Sequence, residues 1–347
     1  MNTIHKSWLV GITLVLTGEL TLSLCMPEGL QTRNAIERME QQLTLEPPDI
    51  QIMGASAAAG GIDTSVLAGS LVGFDGMTIG NYALAGTSAL YLEPQLRRLL
   101  DTGRKPGIIL FAPHPANLRS GDPDRFLGRF ASPDEVVQFA NASFSPAALF
   151  LGLGARYSYS MRYREELRDL FSQGNLEFLR TARRPVAPQP EPVRILARPM
   201  PPGQELNIDS DVRFSALPPA VRAPFSVCPL VDASLHRFFS LAHDEGIRVV
   251  WIFFPLCHSV AALPNAQADQ ENYRNYVEKM TNAHNLFVPC WDVPTYPDAY
   301  FLDPWHLNRR GARRYSEHVA GLLSRSGTAS PRANLKTSPT LAIKTAQ

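Results

Sequence analysis

No charge of one sign dominates this chain: 33 Lys and Arg stand against 32 Asp and Glu over 347 residues, a formal net charge of +1. That balance excludes the broad basic field by which nucleic-acid binders gather phosphates, so nucleic acid is not expected as a partner. Cysteine is scarce as well. Cys25, Cys228, Cys257 and Cys290 form no CxxC pair and have no metal-ligand spacing, so neither a metal nor another cofactor is expected. Cys257 and Cys290 each end an apolar run, which leaves a disulfide open in an oxidising compartment, with buried free thiols the more common outcome. Also missing are a Gly-x-Gly-x-x-Gly fingerprint and a Lys-Ser/Thr after a glycine loop. The glycines that do follow the first apolar run, Gly54, Gly60 and Gly61, leave a phosphate-binding turn only as an alternative reading.

Hydrophobic residues make up 45% of the chain and charged residues 19%, enough apolar side chain to bury the core of one large α/β domain. Residues Trp8 to Met26 are almost wholly apolar, and about 19 residues approach the length of a membrane-crossing helix. Leu22-Ser23-Leu24-Cys25 makes a poor cleavage site and a poor lipoprotein site. Residues 1–27 therefore read as an uncleaved signal anchor, with a cleaved signal and a merely buried helix as the other readings, and residues 28–48 as a linker. Lys6 and the amino terminus favour N-terminus inside and the domain on the extracytoplasmic side. Glu19, the one charge within the run, is costly in a membrane unless neutral or paired.

From residue 49 to 325, β-type runs alternate with helical patterns, the mark of a parallel sheet covered on both faces. Strands are expected at Asp49–Gly54, Met77–Asn81, Gly107–Pro113, Arg248–Phe254 and Leu286–Cys290. Helices are expected at Thr87–Leu100, Ser234–Asp244, Asp269–Ala283 and Arg309–Ser324. The expected fold is α/β, a flavodoxin-like three-layer sandwich around a parallel five-stranded sheet, with function at the carboxyl ends of its strands. A stretch at about 117–228 breaks the rhythm. Its Arg184–Pro202 segment is proline-rich, so it is neither helix nor central strand, and the whole reads as an insertion over the rim of the site. Residues 326–347 are polar and read as a disordered tail.

The chemistry is concentrated at two places. Ser56 follows the first strand in Met53-Gly54-Ala55-Ser56. Asp303 and His306 stand within one turn in Asp303-Pro304-Trp305-His306-Leu307-Asn308. A histidine that activates a serine needs a carboxylate on its other ring nitrogen, to fix the tautomer and to stabilise the imidazolium that forms. Taken singly, Ser56 is also a helix N-cap and His306 a structural histidine; it is the combination that points to a nucleophile, base and orienting acid. Asn308 is placed to cap the last helix. Arg309 and Arg310 then fall in its first turn as solvated residues, and His114 reads as a structural residue at a strand end.

Three stretches together resemble the blocks of the SGNH (GDSL-like) hydrolase superfamily, in the family's order. They are Gly54-Ala55-Ser56 with Gly61-Ile62-Asp63, Asn81-Tyr82-Ala83-Leu84-Ala85-Gly86, and Asp303-Pro304-Trp305-His306-Leu307-Asn308. The resemblance is closest to the membrane-anchored branch associated with cell-envelope and exopolysaccharide O-acylation. It implies a catalytic set of Ser56, Asp303 and His306, and an oxyanion hole from the Ser56 and Gly86 backbone N–H groups and the Asn117 side chain. It implies a carbohydrate or acyl-ester substrate, an esterase or O-acyltransferase activity through an acyl-serine, and, for a transferase, a multi-spanning membrane partner that delivers the acyl group. The chain departs from the pattern in two places: Ala55 replaces the usual aspartate, and the Gly-x-Asn-Asp third block is not recognisable in Phe111-Ala112-Pro113-His114-Pro115-Ala116-Asn117. A non-catalytic anchored subunit of a polysaccharide-modifying complex is the reading that keeps the fold and removes the chemistry.

Overall fold

A computed structural model describes residues 46–85, 87–103, 105–119, 131–142, 193–195 and 224–326, with isolated positions at 13, 17–19, 149–150, 152–154, 158, 161, 217 and 222. Most of the signal anchor, most of the linker, Gly86, most of the expected insertion and residues 327–347 of the tail lie outside the described residues. No helix among the described residues is long and apolar enough to cross a membrane. Glu19 is described, and its carboxylate accepts a hydrogen bond from the Ser158 hydroxyl at 2.8 Å, so the one charge of the apolar run has a partner.

The described chain is α/β. Its central sheet has five strands: β1 (Ile50–Met53), β2 (Thr78–Asn81), β3 (Ile108–Phe111), β4 (Val193–Arg194) and β5 (Arg248–Trp251), in the order β4-β2-β1-β3-β5. The pairs β2/β1, β1/β3 and β3/β5 are parallel. β4 is antiparallel to β2, so the sheet is mixed, where an all-parallel sheet was expected.

β4 is a two-residue strand at the sheet edge, immediately after Pro192, where proline's missing donor breaks no ladder. On the other side, the expected strand Leu286–Cys290 contributes a single parallel bridge, Phe287 to Val250. Phe287 N–H donates to the Val249 carbonyl at 3.0 Å and the Phe287 carbonyl accepts from Trp251 N–H at 2.8 Å. The next donor on that side of the ladder would come from Pro289, which has no N–H, so pairing stops there.

Helices cover both faces. They are α1 (Ser56–Gly61), α2 (Thr64–Ser70), α3 (Leu92–Asp101), α4 (Pro115–Arg119), α5 (Pro133–Ala142), α6 (Pro229–Asp244), α7 (His258–Ala261), α8 (Ala266–His284) and α9 (Arg309–Arg325). Strand residues alternate between two cores because successive side chains point to opposite faces. Ile109, Phe111, Val249 and Trp251 pack with Leu96 of α3, Phe238 and Phe239 of α6, and Val277 of α8. Ile108, Leu110, Val250 and Ile52 pack instead with Ala58 of α1, Leu67 of α2, and Val319 and Leu323 of α9. Strands buried on both sides need near-continuous apolar runs, which is how β1, β3 and β5 read in the sequence.

All parallel strands end on the same edge, so β1 delivers α1 and β3 delivers α4 to one rim. There the chain also forms a small hairpin, Phe301–Asp303 with His306–Leu307, immediately before α9. Cys228, Cys257 and Cys290 are free, so the Cys257–Cys290 disulfide does not form. Burial pushes the Cys257 thiol up to about 11, which leaves it an unreactive core residue.

Candidate active site

The first turn at the rim is set by Gly54. Its φ is +158°, and a Cβ there would lie 2.8 Å from the Ala58 Cβ, so only glycine lets α1 start this close behind β1. Ser56 is then the first residue of α1, half-buried, with its side chain at the rim. Asn81, the last residue of β2, holds the far end of the same helix. Its amide donates to the carbonyls of Ala58 at 3.0 Å and Ile62 at 3.1 Å, and its oxygen accepts the Ala83 N–H. Those carbonyls lie in the last turn of α1 and at its C-cap, where intrahelical donors run out. Gly60 and Gly61 lie within α1, and Gly61 faces the Phe254 ring at a distance that a Cβ would not clear. The glycines therefore close a helix here and do not form a turn around a phosphate.

The Asp303-Pro304-Trp305-His306 turn is a self-contained device. One carboxylate oxygen of Asp303 accepts the backbone N–H groups of Trp305 at 2.8 Å and His306 at 2.9 Å. The other accepts from His306 Nδ1 at 2.7 Å. A proton on Nδ1 leaves Nε2 as an acceptor, and Nε2 lies 2.8 Å from Ser56 Oγ. Asp303, His306 and Ser56 thus form one continuous hydrogen-bond chain, the arrangement that a nucleophile, base and orienting acid would need, and Ser56 and His306 meet across 250 positions of sequence through the hairpin's docking beside α1. Burial pushes the Asp303 carboxyl up. Hydrogen bonds from the His306 ring and from the two backbone N–H groups, with the His306 charge, outweigh it and hold the carboxyl below its usual range. Asp303 is therefore charged wherever His306 can act as a base.

The hairpin is itself fixed from behind. Asn308 caps α9: its side-chain oxygen accepts from Arg310 and Gly311 N–H at 3.1 and 3.0 Å, and its amide donates to the Ala299 carbonyl at 2.7 Å. Gly311 sits where any Cβ would run into the Tyr300 carbonyl oxygen, so glycine permits α9 to approach the segment before the hairpin. Arg309 and Arg310 are exposed, as solvated first-turn residues should be.

The segment that follows the end of β3 carries both Asn117 and His114. Asn117 lies in α4, half-buried, with its backbone N–H donating to the His114 carbonyl at 2.9 Å. The residue at the strand end is His114, which is buried, edge-on to the Phe254 ring at 5.7 Å and within electrostatic reach of both His306 and Asp303. Burial, reinforced by the charges of His306 and Arg119, pushes its pKa down to about 3. His114 is therefore a neutral imidazole, unable to serve as a second base near neutral pH. Sequence alone gave no reason to bring His114 to the site, or to see Asn81 as the brace of α1.

Among the described residues no group of three or more His, Cys, Asp or Glu side chains is placed to hold a metal ion. No protein-family model matches the chain, and no curated protein matches it in sequence.

Proposed function

We propose that this protein is a serine esterase or O-acyltransferase of the SGNH (GDSL-like) type, from the membrane-anchored branch, acting on acyl esters, in the first place acetyl esters, of an extracytoplasmic polysaccharide. The observation that carries the reading is the continuous hydrogen-bond chain Asp303–His306–Ser56, with separations of 2.7 and 2.8 Å. The order of the parallel strands supports it: β2-β1-β3-β5 matches the first four positions of the 2-1-3-4-5 order of a flavodoxin-like sheet.

In this mechanism Ser56 Oγ adds to the ester carbonyl carbon as its proton passes to His306 Nε2. Asp303 holds the ring and stabilises the imidazolium. The tetrahedral intermediate collapses, the alkoxide leaves with the proton returned by His306, and the acyl group stays on Ser56. Water, or a sugar hydroxyl, then attacks the acyl-serine as its proton passes to His306; the bond from the acyl carbon to Ser56 Oγ breaks and Oγ takes that proton back. Water makes the protein an esterase and a sugar makes it a transferase. Backbone N–H groups of Ser56 and Gly86 would receive the oxyanion. The N-terminal anchor, the extracytoplasmic location and a multi-spanning partner that supplies the acyl group belong to the same proposal.

The test is hydrolysis of a small aryl acetate by the full chain. Wild type should turn it over, and Ser56→Ala and His306→Ala should each abolish turnover while keeping the wild-type melting curve. Activity indifferent to both changes would return the molecule to a binding role.

A further inference from the structure

Two buried N–H donors beside the triad have no acceptor among the described residues. His114 is 5% exposed, and its Nδ1 accepts the Ala116 N–H at 3.1 Å, which places the ring's own hydrogen on Nε2; that nitrogen is out of solvent and without a partner. The indole Nε1–H of Trp305, in the turn between Asp303 and His306, is likewise buried and without a partner. Leaving one such donor unsatisfied costs about 1–3 kcal/mol. Two at one place call for an oxygen acceptor, which an ordered water or the oxygen of a ligand can supply.

Both residues line one small cavity at the rim, walled mainly by hydrocarbon from side chains such as Phe225, Leu256, Val260 and Tyr273, with Arg119, Asp269 and Gln270 also in its lining. Its free volume is about 40 Å³. At roughly 10–15 Å³ for each water-sized occupant, that is room for about three small groups. A ligand that fits carries a short apolar part and one oxygen. His114 is also held rigidly. The Pro113 carbonyl before it accepts from the Tyr273 hydroxyl at 3.1 Å, and its own carbonyl accepts from Asn117 N–H at 2.9 Å.

We infer that this cavity is the acyl pocket of the site, that it takes an acetyl-sized group, and that the Nε2–H of His114 donates to the acyl carbonyl oxygen as it becomes an oxyanion. The inference rests on the serine-hydrolase reading above and gives His114 the place that the resemblance assigned to Asn117. As Ser56 Oγ bonds to the carbonyl carbon, the C=O π pair moves onto oxygen and the serine proton goes to His306. His114 keeps its proton throughout and only donates a hydrogen bond. A neutral imidazole suits this work, because it neither titrates nor competes with His306 for the serine proton.

The experiment measures kcat and KM of the full chain on aryl acetate, butyrate and hexanoate, for wild type, Ser56→Ala, His114→Leu, His114→Gln, His114→Asn and Leu256→Ala. Loss of one oxyanion donor lowers kcat by about 10²–10³-fold, so His114→Leu should show that loss on acetate with KM changed by less than about threefold. His114→Gln, which carries an amide N–H to nearly the same point, should stay within about tenfold of wild type, and the shorter Asn should not. Wild type should prefer acetate to hexanoate by about 100-fold or more, and Leu256→Ala should narrow that preference to under about tenfold.

Ser56-dependent activity with His114→Leu retaining wild-type kcat would overturn the inference and leave the serine mechanism standing. So would a chain-length preference that Leu256→Ala does not move. Turnover indifferent to Ser56→Ala, or no turnover by wild type, would overturn both together. If His114→Leu loses its cooperative melt, the Gln and Asn pair decides: equal kcat in the two means that His114 only fills space or holds a water.

Discussion

The two sides of the site are built by opposite means. On the Asp303–His306 side, four consecutive residues supply the carboxylate, the turn, the ring and the hydrogen bonds that join them, and Asn308 starts the supporting helix two residues later. On the β3 side, His114 is placed by partners far away in sequence: the Tyr273 hydroxyl reaches Pro113 across 160 positions, and the Phe254 ring packs edge-on against the imidazole. A local device depends on residue types and spacing. A device assembled by packing depends on the fold as a whole, and its members carry no local mark.

The contrast can be pressed hardest at the triad itself. Ser56→Ala or His306→Ala should each lower kcat on an aryl acetate by about 10⁴–10⁶-fold, and the double variant should be no worse than either, because groups that act as one unit are not additive. Asp303→Asn separates the two jobs of that carboxylate. The amide oxygen still accepts the Trp305 and His306 N–H groups, so the turn and the melting temperature should hold, while kcat falls by about 10⁴-fold through loss of the correct tautomer. Asp303→Leu should lose the turn as well.

On the β3 side the largest effect is on acid stability. His114 has a folded pKa of about 3 against an ordinary value of 6.5, so between those values the unfolded chain binds a proton that the folded chain refuses. Stability should therefore fall as pH drops from about 6.5 towards 3, by roughly 4–5 kcal/mol from this residue. Urea melts at a series of pH values should show that slope, and His114→Gln should flatten it. Asn81→Ala removes the donors that satisfy the end of α1; it should cost about 1–3 kcal/mol and lower kcat modestly through a looser Ser56, read by thermal melts beside the ester assay. Asn308→Ala should cost about 1 kcal/mol, with kcat close to wild type if the hairpin is as self-contained as its hydrogen bonds suggest.

The same division decides what could be read from the sequence. Ser56, Asp303, His306 and the Asn308 cap were legible because each is part of a short pattern with a local physical purpose. The helices α6, α8 and α9 and the strands β1, β2, β3 and β5 were legible from periodicity and unbroken apolar runs. β4 was not, since two residues after Pro192 carry no strand pattern and gain their pairing only from the open edge of β2. The segment at Leu286–Cys290 looked like a full strand because its apolar residues outweigh Pro289, yet that missing N–H ends the ladder after Phe287. Asn81 stood inside a recognised stretch, but its task of holding α1 follows from where that helix ends. His114 read as a filler at a strand end until its tautomer, its burial and its neighbours were known.

Labelling of the full chain with a fluorophosphonate, followed by peptide mapping, tests directly whether His306 activates Ser56 as a nucleophile. One adduct is expected, on Ser56, absent from Ser56→Ala and formed far more slowly in His306→Ala. A folded wild-type protein that leaves Ser56 unlabelled, or labels it at the same rate without His306, would contradict that activation.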